Sequence, residues 1–272
     1  MSKQENYWKR LVFIFFLGWL LMYANRTALT GIMSALEALW GLSRTQLGLI
    51  NSAFFFFYAA AQVPAGLLAD RLGRKRVLVP GFLLHSLGAI ASGLATSFPW
   101  LLAARALTGL SQGTYFSPQY AISTAAVPPK YRTVASAVTM SGSALGIGLG
   151  TLIASFMVWR LGLSWRFPLV LCGGLALLLT LAMAKLINPD VARREATEED
   201  SSPTPVFRPN ANLVKLFLVG ALAMYGFYVI VTWLPYYLQT ARHIEGGIAG
   251  AVSTIMPLAT IPSAILIGVL AD

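Results

Sequence analysis

Charge is scarce in this sequence: Asp, Glu, Lys and Arg together make up 11% of it, where a soluble domain carries about a quarter. Acids are the scarcer sign, ten against twenty bases, and there are two histidines and one cysteine. Each shortage excludes something. So little charge cannot cover a surface that faces water. The lone Cys172 excludes an intramolecular disulfide and reads as a small buried thiol. One histidine and one cysteine inside apolar segments make no metal-ligating or catalytic cluster, so no metal, no cofactor and no membrane-embedded enzyme is expected.

What fills the chain instead is apolar side chain, 57% of the residues. It comes in blocks of about 19 to 25, long enough at about 1.5 Å per residue to cross a hydrocarbon core of roughly 30 Å. Backbone groups in lipid must be paired within their own segment, so the blocks are helices. Eight spans are expected, at about 11–33, 46–69, 77–95, 100–125, 134–158, 165–187, 211–238 and 247–270. The first follows Tyr7, Trp8, Lys9 and Arg10, an interfacial anchor. Its apolar run is too long for a signal peptide, and no small-residue cleavage site follows it, so the N-terminus is expected to stay.

The net charge of +10 invites a nucleic-acid reading, and the positions of the bases argue against it. Of the twenty Lys and Arg residues, fourteen fall in loops on one side, four (Arg44, Arg160, Arg166, Arg242) on the other, and two, Arg26 and Arg105, inside spans. This is the positive-inside bias; it puts the N-terminus in the cytoplasm and leaves no basic strip with interleaved aromatics for nucleic acid. The expected partners are the lipid bilayer and a small solute, with no expectation for oligomeric state. Residues 188–210 break the apolar pattern with Asn188-Pro189, an acidic run and three more prolines, which reads as a cytoplasmic linker. Three regions follow: a six-helix N-terminal bundle over 1–187, the linker over 188–210, and over 211–272 the first two helices of a second, incomplete bundle. An internal echo supports repeated halves, because Gly66-Leu67-Leu68-Ala69-Asp70 closes the second span and Gly268-Val269-Leu270-Ala271-Asp272 the eighth.

Gly66-Leu-Leu-Ala-Asp70-Arg71-Leu-Gly73-Arg74-Lys75-Arg76 resembles the signature loop between spans 2 and 3 of the major facilitator superfamily. Arg105-Ala-Leu-Thr-Gly109-Leu-Ser-Gln-Gly113 resembles its span-4 motif, and Gly142, Gly146, Gly148 and Gly150 its glycine-rich span 5. Tyr23-Ala-Asn25-Arg26, the run from Ser52 to Gln62 and Trp233-Leu-Pro235-Tyr-Tyr237-Leu are similar to the anion:cation symporter branch. The resemblance implies an all-α polytopic bundle with about eight of twelve expected transmembrane helices. It implies a secondary transporter of a small organic anion bearing a carboxylate, in a bacterial inner membrane, truncated after the eighth span. Gly66, Asp70, Arg71, Gly73, Arg74, Lys75 and Arg105 would then form a gating motif, with an acid beside several bases as a charge latch between two rocking halves.

Arg26 carries the substrate argument. It lies about 22 Å along the first span by helical rise, where an arginine costs several kcal/mol unless it faces water or an anion. Its planar fork suits a carboxylate or a phosphate, and the resemblance places the substrate anion there. Snorkelling to the outer interface is the competing reading. Arg105, about five residues into its span, is equally placed to snorkel or to serve structure. Tyr58 and Gln62, four apart, share a helix face and are cavity candidates by resemblance. His85, mid-span in span 3, reads as a histidine hydrogen-bonded to a neighbouring helix, with a proton relay as the alternative.

None of the ten acids lies inside a span. Proton-coupled members of the resembled branch carry acids where this chain has Asn25 and Gln112. Amides keep the hydrogen bonds there, as substrate-binding candidates, but cannot titrate. Exchange, facilitated diffusion or coupling elsewhere stay open, as do organophosphate exchange, amphiphile efflux and a fragment that transports nothing.

Overall fold

The computed structural model describes the backbone of residues 3–188 and 210–271 and the side chains of 7–188 and 210–259. The linker expected over 188–210 falls, at 189–209, outside the described residues, as do the side chains of the echo at 268–272. Regular structure among the described residues is helical: α1 (Lys3–Gly31), α2 (Met33–Trp40), α3 (Arg44–Leu72), α4 (Arg74–Gly93), α5 (Phe98–Gly113), α6 (Phe116–Ala126), α7 (Arg132–Ser155), α8 (Arg166–Leu186), α9 (Ala211–Thr240) and α10 (Gly246–Ala271). Six segments, Tyr7–Gly31, Arg44–Leu72, Arg74–Gly93, Pro129–Arg160, Arg166–Leu186 and Ala211–Thr240, are long and apolar enough to cross a membrane.

Those six coincide with six of the eight expected spans, and α10 with the eighth. The fourth expected span differs. It divides into α5 and α6 around Thr114 and Tyr115. Pro118, in the first turn of α6, has no N–H to give the Thr114 carbonyl, so the helical ladder is interrupted there. The first span also runs further than expected, through α2 to Trp40, before Gly41 closes it with φ 61. Ser43 then starts α3 with a capping box: its hydroxyl accepts from the Gln46 N–H at 3.2 Å, and its own N–H donates to Gln46 Oε1 at 2.9 Å. At the far end α3 passes into α4 through one residue, Gly73, whose φ of 97 lies where side-chain-bearing residues are strained.

Packing between helices rests on small residues. Gly142, Gly146 and Gly150 of α7 lie against the carbonyls of Phe16, Leu20 and Ala24 of α1, so both helices contribute a row of spacing four, and a Cβ on any of the three glycines would strike the facing backbone. Gly148 points the other way, to Thr254 and Leu258 of α10. Hydroxyls join the same seam: Thr27 Oγ1 donates to the Ile147 carbonyl at 3.0 Å, and Thr151 Oγ1 to the Thr27 carbonyl at 3.3 Å. One buried cluster, with Phe15, Trp19, Met22, Phe82, Tyr115 and Met183, joins α1, α4 and α8 around the α5–α6 break. There Trp19 Nε1 donates to Gln119 Oε1 at 3.0 Å. A second cluster, with Leu29, Leu36, Leu47, Leu101, Trp165 and Tyr236, lies at the end of the bundle marked by Gly41.

Polar contacts join α9 and α10 to the preceding helices at that same end. The Tyr236 hydroxyl donates to Glu37 Oε1 at 2.9 Å, Ser34 donates to Gln239 Oε1, and Arg160 pairs with Glu245 at 2.9 Å. Towards its start α9 leaves the bundle, with Leu216, Phe217, Val219 and Leu222 exposed. The contacts of α9 with the preceding helices are thus made near Gly41 and are lost towards the start of α9.

Candidate functional site

The first helix carries Arg26 inward, 5% exposed, to where α1, α3 and α9 converge. Its guanidinium carbon lies 4.2 Å from the Phe55 ring centroid, 4.4 Å from Tyr228, 5.1 Å from Tyr23, 5.2 Å from Phe54 and 5.9 Å from Tyr58. The snorkelling reading therefore gives way: the side chain turns into a box of rings and not out to the interface. Each close cation–ring contact contributes about 0.5–2 kcal/mol, enough to tolerate a dry guanidinium, but the rings bear no net charge. The full positive charge stays available to an anion. Among the described side chains the acids are Glu37, Asp70 and Glu245; Glu37 and Glu245 are held at the Gly41 end and Asp70 is exposed at the end of α3.

Arg105 of α5 is the second cation. The snorkelling reading gives way here also, because Arg105 is 0% exposed; its three guanidinium nitrogens have no hydrogen-bond partner among the described residues. Its position follows from Gly109 and Gly113, one and two turns further along α5, which let that helix press on the α3 backbone at Phe54 and Tyr58. The Arg105 guanidinium carbon then sits 4.8 Å from the Phe54 centroid, so one phenyl ring is shared by both arginines. Asn25 and Gln112 are buried, and neither amide group has a hydrogen-bond partner among the described residues. His85, expected to bond a neighbouring helix, is buried facing Thr108 and Arg105 of α5, and neither ring nitrogen makes a well-formed hydrogen bond.

Of the remaining candidates, Tyr58 is half-buried and belongs to the box, stacked on Phe54 with centroids 6.1 Å apart. Gln62, one turn on, is exposed. The signature loop lies at the opposite end of α3 from Gly41: Gly66 packs beside Ser117, Asp70 and Arg71 are exposed, Arg74 begins α4, and Lys75 Nζ donates to the Ile187 carbonyl at 2.6 Å, tying α4 to the end of α8. Sequence reasoning did not single out Phe54, Phe55 or Tyr228 as neighbours of Arg26. Phe54 and Phe55 lay in a run of four phenylalanines with nothing to separate inward from outward faces. Tyr228 carried only the weak signal of a polar-tipped aromatic deep in an apolar helix.

A family model described as Major Facilitator Superfamily matches residues 15–272. Similar curated proteins include a probable 4-methylmuconolactone transporter of Cupriavidus pinatubonensis, 27% identical over 236 residues (85% of this chain, 55% of the relative). A probable sulfoacetate transporter of Cupriavidus necator is 27% identical over 266 residues (92% and 61%), and a D-galactonate transporter of Escherichia coli 22% identical over 276 residues (92% and 64%). Among solved structures, a bacterial homologue of the human lysosomal transporter Spinster aligns with a TM-score of 0.81 at 22% identity, over 99% of this chain and 62% of that one. The chain thus spans 55–64% of the length of these curated relatives. With its helical bundle, its apolar spans and this match over nearly its whole length, the chain is an integral membrane protein that belongs to the major facilitator superfamily, a family of transporters and not of enzymes.

Proposed function

We propose that this chain forms the anion-binding part of a secondary transporter that moves a small carboxylate-bearing metabolite by alternating access, with Arg26 as the anchor. One observation carries the reading: a guanidinium deep in a span, boxed by five rings and facing no acid among the described residues. Two relatives named for sulfoacetate and D-galactonate, both anions, support it. Three regions of different role follow: the six-helix bundle over 1–187 with Arg26, Asn25, Tyr58, Gln62 and Gln112, a linker over 188–210, and α9 and α10 supplying Tyr228 as the opposite wall. The contacts of Glu37, Ser34 and Arg160 with Tyr236, Gln239 and Glu245 would close the outer side while the side of the signature loop stands open.

The test is Arg26→Lys in proteoliposomes. Lysine keeps the charge and loses the paired donors; loss of one charge-assisted hydrogen bond, about 1.5–3 kcal/mol, corresponds to roughly a 10–100-fold fall in uptake of a carboxylate solute. Normal uptake by the lysine variant would replace recognition by simple charge.

A further inference from the structure

We infer that the site selects a dianion, a small solute with two separated acidic groups, because two buried cations share one ring there and none of the acids among the described residues is recorded in contact with either. This rests on the reading of Arg26 as the anion anchor. Arg26 and Arg105 lie 5.2 and 4.8 Å from the centroid of the same Phe54 ring, so their guanidinium carbons are no further apart than the sum of those distances, and the two charges act on each other. The same two helices carry two buried polar side chains with hydrogen-bonding capacity unmet among the described residues: the amides of Asn25, next to Arg26 in sequence on α1, and of Gln112, two turns from Arg105 on α5. Arg105 itself is wholly buried with three nitrogens that no group among the described residues satisfies.

A monoanion on Arg26 neutralises one of these charges and leaves the other uncompensated in an apolar surrounding, which is costly. A second negative charge within the reach of Arg105 removes that cost. The two arginines reach the Phe54 ring from different helices, α1 and α5, so the geometry favours two acidic groups joined by a short chain, one on the Arg26 side and one towards Arg105, over a single compact anion. At these separations and an effective dielectric constant of about 20, each added ligand charge contributes roughly tenfold in affinity or more.

The experiment titrates the purified protein in lipid nanodiscs with succinate against butyrate and with glutarate against valerate, pairs equal in carbon number that differ by one carboxylate. The dianion is expected to bind at least about tenfold tighter than its partner. Arg105→Gln brings that ratio towards one, Arg105→Lys preserves it, and Arg26→Gln weakens all four probes. Equal affinity within both pairs for the unaltered protein overturns the proposal and leaves the Arg26 reading standing; this comparison needs no variant and so survives an Arg105→Gln protein that does not fold. Failure of all four probes to bind sinks the anion reading itself, and this inference with it.

Discussion

Asn25 and Gln112 hold the consequences of one missing chemistry. Both are buried, on the helices that carry the two arginines, and an amide stays neutral at every physiological pH, so neither can take up a proton on one side of the membrane and release it on the other. Solute accumulation in proteoliposomes is therefore expected to change less than about twofold when an inward proton gradient is imposed, with any residue of dependence removed by His85→Gln. Gradient-driven accumulation that persists in His85→Gln would show that some other group carries the proton. The double change Asn25→Asp with Gln112→Glu should introduce dependence, or else lock the site through internal ion pairs with Arg26 and Arg105. Their amide identity was legible in the sequence, because it needs only the residue letters and their place within spans. That Arg105 would be buried against Phe54 was not, because its depth along α5 fitted snorkelling equally well until the partner helix was known.

Helix geometry decides how close these groups come. The α1–α7 seam is set by Gly142, Gly146 and Gly150 against the carbonyls of Phe16, Leu20 and Ala24, two residues before Arg26. Gly146→Leu should open the seam; overpacking of this kind costs about 1–3 kcal/mol. A lowered thermal midpoint of the purified protein is the expected reading, with Gly174→Leu, where an added side chain meets open space, as the control. Equal midpoints for the two variants would mean that the glycine row is not what sets the seam. In the sequence Gly142, Gly146, Gly148 and Gly150 stood out only by resemblance to a glycine-rich span, which left open which glycine faced which helix. Gly148 turned out to serve α10 and not α1. The break between α5 and α6 was hidden for a different reason: hydropathy sums over a window, and one proline at the start of α6 barely changes the sum while it removes a backbone bond.

At the scale of the whole molecule, orientation follows from where the bases lie. By the sequence pattern fourteen of the twenty Lys and Arg residues fall on the side of the signature loop and the chain start, and we propose on that ground that this side is the cytoplasmic one. In a background with Cys172→Ser, a cysteine at Leu39 near the closed outer end should react with an impermeant reagent added to intact cells, while one at Asn210 at the start of α9 should not. Labelling at Asn210 under those conditions would invert the assignment and, with it, the direction in which the bundle stands open.

Residue letters alone indicated that the chain lies in a bilayer, roughly where it crosses, which family its loops resemble and that acids stay out of the middle of the expected spans. Each of these is local: a segment long and apolar enough must pair its backbone within itself whatever its neighbours do. The box around Arg26 is not local. Its rings come from α1, α3 and α9, Arg105 reaches Phe54 from α5, and Glu37 meets Tyr236 across 199 positions of sequence. Lipid offers little hydrophobic drive to bring one apolar helix face against another, so which faces meet is decided by small-residue rows and by shape, and these act only once the helices stand side by side.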